Sequence, residues 1–128
     1  MPEESYDYRP HPDQMSFGEQ IIEIATMSEF FFARIVGRTA NFSQGQIPEK
    51  NAAIQISKES FAFCISALRS MSEEQLESTH ILRRGLQMSG RAIIEFALSH
   101  AIHHSGQAAA YLGAKGIKVP PFHPLFPF

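Results

Sequence analysis

Apolar positions recur with a helical period in three long runs of the chain. Phe17, Ile21, Ile24, Phe31 and Ile35 repeat at about 3.6-residue spacing up to Gly37, and Ser16 with Glu19 forms a capping box ahead of them. This pattern predicts a helix from about Ser16 to Val36. Pro48 suits the first turn of a second helix, in which Ile54, Phe61, Ile65 and Leu68 form an inward stripe, with Lys50, Lys58, Glu59 and Arg69 elsewhere. That helix is expected to end near Ser70. A third long helix is expected from Met88 to Gly113, the glycine taking the position just past the end.

The stretches between and beside these runs break the period. Residues 1–15 are rich in Pro, Asp and Tyr and read as an extended lead-in. Thr39 to Gln46 reads as a polar loop, Ser72 to Gln75 as the start of a short helical turn, and Ser78 to Gln87 as irregular, with His80 exposed and idle. From 114 to 128 the chain alternates prolines with large apolar groups, which forbids a helix or a central strand. Its aromatic side chains then either pack across the body or serve a partner. The expectation is one all-α domain over 1–128, with the helical bundle at 16–113.

The third helix carries the chemistry. Ile93, Phe96, Ala97, His100, His104, Gln107, Ala108 and Tyr111 trace one stripe, so His100 and His104, spaced i, i+4, point inward together. Burying two imidazoles costs free energy unless each polar nitrogen finds a hydrogen bond or a metal. A carbonyl, a carboxylate or a water would satisfy them, and so would a metal ion, which needs at least a third protein ligand. His103 lies about 100° round the helix from His104 and belongs to the flank.

Composition narrows the classes of function. The chain has 128 residues, 44% hydrophobic and 19% charged, and its net charge of −2 offers no field for a phosphate backbone, so a nucleic-acid binder is not expected. The single Cys64 excludes an internal disulfide, and Phe61, Ile65 and Leu68 around it mark it as a small buried apolar residue. Neither a signal peptide nor a run of ~20 apolar residues is present, so the expected setting is cytoplasmic, away from membranes. No Ser-His-Asp or Cys-His set and no Gly-rich phosphate loop competes for the chemistry.

Taken in order, the pieces resemble the DinB/YfiT-like family of metal-dependent proteins, which is distinct from the polymerase sharing the DinB name. The similarity rests on the stretch from Tyr8-Arg9-Pro10-His11 to Ala25, on His100 to Gln107, and on Tyr111-Leu112, Gly116 and Val119-Pro120-Pro121. It implies an up-down helical bundle of the four-helix kind, of which this chain supplies three long helices. In that family a divalent ion is held by one histidine of the second helix and an i, i+4 pair of the last. The pair carries over to His100 and His104, whereas the first histidine falls at Glu23 and the usual arginine before Gly106-Gln107 is Ser105.

The resemblance therefore implies a Glu23, His100, His104 site for one divalent ion, Zn, Ni or Fe, with Gln107 and His103 orienting the ligands. Two histidines and a carboxylate form a known zinc set and also suit non-haem Fe(II). The implied activity is that of a hydrolase, or of a transferase using a low-molecular-weight thiol, acting on a small molecule. The alternative is a non-catalytic helical binding protein that has lost the ion. The family's long helix ahead of the Arg-Pro segment has no counterpart in Met1 to Asp7, which leaves a broad apolar groove; a homodimer is the expected cover.

Overall fold

Ser16 opens the first helix through both halves of the capping box: its hydroxyl accepts the Glu19 N–H, and the Glu19 carboxylate accepts the Ser16 N–H. The structure is a computed structural model and describes residues 1–41 and 48–121. After α1 (Phe17–Ile35) come α2 (Lys50–Ser70), the one-turn α3 (Glu73–Glu77), an antiparallel hairpin of β1 (Thr79–Ile81) and β2 (Gln87–Ser89), and α4 (Gly90–Ala114). The fold is mostly helical, with three long helices and a small hairpin. No helix among the described residues is long and apolar enough to cross a membrane.

α1 is the central element and packs against both α2 and α4. Toward its start, Phe17 and Ile22 pack with Tyr6, Ala53, Ala108 and Tyr111; toward its end, Phe31 and Ile35 pack with Leu82, Ile93 and Ala97. α4 runs antiparallel to α1, and cross-helix contacts fix the register. The Tyr111 hydroxyl donates to the Met15 carbonyl at 3.0 Å, Gln20 meets His104, Glu23 meets His100, and the Phe31 ring meets Phe96. The stretch from Gln20 to Glu23 and the histidine pair thus fall between two apolar clusters that hold their helices in place.

Several expectations change. α2 turns a different stripe to the core: Ala53, Ser60, Cys64 and Ala67 are buried, while Ile54, Phe61, Ile65 and Leu68 are 43%, 42%, 53% and 52% exposed. Small residues let the helix approach α1 closely, and the buried Glu29 carboxylate accepts the Ser60 O–H at 2.7 Å, which fixes the rotation. The larger stripe lies about 100° away, one residue along. Phe96, on the expected inward face of α4, is likewise 44% exposed.

The region from 78 to 87 is not irregular. Arg84 and Gly85 both take positive φ, 59° and 75°, and reverse the chain so that β1 and β2 pair. His80 sits half-buried on β1 with Nε2 2.7 Å from the Gln75 carbonyl oxygen, so it is neither in a loop nor idle. At the junction of β2 and α4, Gly90 is buried against the backbone of α3, and a Cβ there would run into the Gln75 carbonyl. α4 passes through Gly113 and is closed by Gly116 at φ 68°, with the Ile117 N–H donating to the Leu112 carbonyl.

The lead-in is not wholly extended either: Glu3–Ser5 form a 3₁₀ turn, and Tyr6 enters the core. Most of the expected Thr39–Gln46 loop and the tail from residue 122 lie outside the described residues. Cys64 is 6% exposed, as expected. Burial, followed by the nearby Glu29 charge, pushes its thiol up to about 12, so it is an inert packing group.

Candidate metal centre

α1 and α4 each deliver two side chains to one place. On α1, Gln20 and Glu23 are spaced i, i+3 and lie toward α4; on α4, His100 and His104 are spaced i, i+4 and lie toward α1. One ligand atom from each of Glu23, His100 and His104 lies within 4.8 Å of the other two. The three residues expected to share an ion are therefore brought together, although Glu23 is not on the apolar stripe of its helix. It reaches the site because α4 packs on the flank of α1.

The atoms on each ring differ in what they meet. His100 Nε2 is 3.8 Å from Glu23 Oε1, while its Nδ1 is buried with no hydrogen-bond partner among the described residues. His104 Nδ1 is 2.6 Å from Gln20 Oε1. The two rings lie 4.4 Å apart at their centroids, and the Phe31 and His100 rings meet in a T-shaped contact at 5.9 Å. Glu23 and His100 side chains retain 20% and 17% exposure, which keeps the centre at the boundary between core and solvent.

Electrostatics favours neutral rings. Desolvation holds His100 below the ordinary histidine value, against the opposing pull of Glu23. Desolvation also lowers His104, with His100 and His103 adding to the effect and a hydrogen bond from the protonated ring to the Gln107 side-chain oxygen opposing it. Neutral imidazole is the form that ligates metal. His103 is exposed and its ring meets that of His104 in a T-shaped contact at 5.1 Å, so it flanks the centre.

The donor set fits a divalent ion. It offers two imidazoles and one carboxylate, and among the described residues no protein group partners the buried Nδ1 of His100. Ligands around a tetrahedral zinc stand about 3.4 Å apart for bonds of about 2.1 Å. Small side-chain movements would bring this triad there. Gln20, 2% exposed, is the residue that sequence reasoning passed over; its place three residues after Phe17 and four before Ile24, on the apolar period of the helix, was the available signal.

A sequence profile of the DinB superfamily matches residues 1–108. The chain belongs to the DinB superfamily. Over 122 residues it is 29% identical to the uncharacterised protein YjoA of Bacillus subtilis strain 168, a match covering 92% of this chain and 79% of YjoA. The crystal structure of YjoA superposes with a TM-score of 0.77 at 27% identity, covering 94% of this chain and 82% of that one. A DinB-like protein from Bacillus cereus ATCC 10987 gives a TM-score of 0.84 at 16% identity, covering 96% and 83%, and so shares the fold. Among these DinB-like relatives YjoA is itself uncharacterised, so the likeness carries architecture and leaves the chemistry to the site.

Proposed function

We propose that Glu23, His100 and His104 hold one divalent metal ion, and that this DinB superfamily member uses it in a small-molecule reaction, either hydrolysis or transfer of a low-molecular-weight thiol. The observation that carries the reading is the convergence of three ligand atoms from two helices within 4.8 Å. Such an ion supplies Lewis acidity, weaker than with three histidines because the glutamate adds negative charge. The chain's own residues keep both imidazoles neutral by desolvation and set the carboxylate beside them at the solvent boundary. The second reading, a binding protein without an ion, is favoured by Glu23 and Ser105, which stand where the family's first histidine ligand and its usual arginine fall.

Metal content separates the readings. Plasma mass spectrometry on untagged protein should find about one ion per chain, lost in both His104→Ala and Glu23→Ala. Protein that carries no ion and takes up neither zinc, nickel nor iron would end the metalloprotein reading and leave the binding one.

We also propose a homodimer through the face that α2 turns to solvent. Ile54, Phe61 and Leu68 repeat every seven residues, the seam along which one helix packs beside another, and a second copy presents a matching 21-residue helix. Light scattering at micromolar concentration should give the mass of two chains, and that of one for Phe61→Glu with Ile65→Glu. A monomeric wild type would sink the proposal.

A further inference from the structure

Three features stand out beyond the ligand set: the apolar groove between α1 and α4, the guanidinium groups of Arg34 and Arg83 over the Phe30 ring, and the buried amide of Gln20. The groove, of about 610 Å³, is floored by Phe17, Ile21 and Ile24 and involves none of the three candidate ligands, and nothing in its lining selects an occupant. The two guanidinium groups stand 5.4 and 4.9 Å from the ring centroid and form an exposed stack that the aromatic face accounts for. Gln20 is different because its partner has two chemically distinct states.

We infer that Gln20 is a positioning residue that selects the tautomer of His104, holding the proton on Nδ1 so that the Nε2 lone pair is available to a metal ion. A neutral imidazole has one N–H and one lone pair, and the hydrogen bond made by one nitrogen decides what the other offers. Gln20 Oε1 lies 2.6 Å from His104 Nδ1, and an amide oxygen only accepts, so the proton of that bond belongs to the ring. Nε2 is then left unprotonated. The opposite arrangement, with the amide NH₂ donating to Nδ1, would place a proton on Nε2 and close that nitrogen to metal.

The surroundings make the selection firm. Gln20 is 2% exposed, so solvent does not compete for its amide, and α1 holds its backbone from the first helical hydrogen bond, Gln20 N–H to the Ser16 carbonyl at 3.0 Å. The capping box thus anchors the turn that carries the selector. Three residues on, the same helix supplies Glu23 to the other imidazole. One helix therefore contributes both a ligand and the residue that prepares the ligand opposite, a division of labour that places Gln20 behind His104 as an outer support. Gln107, on the histidine's own helix, is the other amide that reaches this ring.

The inference rests on the metal reading for its purpose, but its test does not. Long-range ¹H–¹⁵N correlation spectra of the metal-free protein near pH 7.5 report which nitrogen of each neutral imidazole is protonated, with His104→Gln identifying the signals. Wild type should show His104 protonated on Nδ1. Gln20→Leu, close in size, should shift the proton wholly or partly to Nε2, and Gln20→Glu, which keeps an acceptor oxygen, should restore Nδ1–H. Zinc affinity measured by competition with a chromophoric chelator should fall about 10- to 100-fold in Gln20→Leu and recover in Gln20→Glu. A wild-type His104 protonated on Nε2 overturns the inference, as does a Gln20→Leu spectrum identical to wild type. Absence of zinc uptake by wild type would overturn the metal reading alone, since the tautomer is read without any ion.

Discussion

Alanine in place of Phe31 should lower the unfolding free energy of the metal-free protein by about 3–5 kcal/mol, the usual range for deleting a buried aromatic ring. Phe31 is 4% exposed and packs with Ile35, Leu82, Ile93 and Ala97, so it ties α1 both to α4 and to the hairpin. Its ring meets Phe30, Phe96 and His100 at centroid distances of 5.6, 5.3 and 5.9 Å, all edge-on. Removal leaves a cavity among groups fixed on three elements, which limits collapse. Thermal unfolding should show a fall of roughly 10 °C or more. Phe31→Leu should recover most of the loss, because it refills the volume while giving up only the ring contacts. A loss below about 1 kcal/mol for the alanine variant would mean that this cluster does not anchor α4.

That prediction joins fold and site, because the Phe31 ring supports His100. Polar side chains in a mostly apolar stripe are informative when their neighbours are known to be buried: Ile93, Ala97, Ala108 and Tyr111 are, and His100 and His104 follow them inward. α1 was equally readable, since its capping box and apolar period agree with each other and with the observed Phe17–Ile35. Glu23 was not readable from its own helix, where it stands off the apolar stripe. The family resemblance placed it with the histidines, and the packing of α4 on the flank of α1 explains how it gets there.

The readings that changed share one physical origin: periodicity gives the direction of a stripe but not its partner. α2 carries two adjacent stripes, one of large apolar groups and one of Ala53, Ser60, Cys64 and Ala67, and burial of the larger groups was the natural expectation. Close approach to α1 selects the smaller. The hairpin was hidden because its strands, Thr79–Ile81 and Gln87–Ser89, are too short for an alternating pattern to stand out. Its turn depends on Arg84 adopting a positive φ that its residue type does not advertise.

Glu29 is the strongest structural determinant that no periodic pattern discloses, and replacing it should cost nearly as much as Phe31. Its side chain is 1% exposed; Oε1 accepts the Asn41 N–H at 2.6 Å and Oε2 accepts the Ser60 O–H at 2.7 Å. No ion pair to Glu29 is found among the described residues, so these two donors are the identified compensation for its burial. Glu29→Ala removes the acceptor and strands a hydroxyl at a residue with 0% exposure. Hydrogen bonds to a carboxylate contribute about 1.5–3 kcal/mol each, offset in part by no longer desolvating the charge, so the expected net loss in urea unfolding is about 2–4 kcal/mol. Ser60→Ala alone also costs stability because it removes one of the two donors. The Glu29→Met, Ser60→Ala double variant should instead be more stable than Glu29→Met alone, because the stranded donor has gone with its acceptor. If the second substitution only adds to the loss, Ser60 is not what holds Glu29 in the core, and the rotation of α2 must be set by its small residues alone.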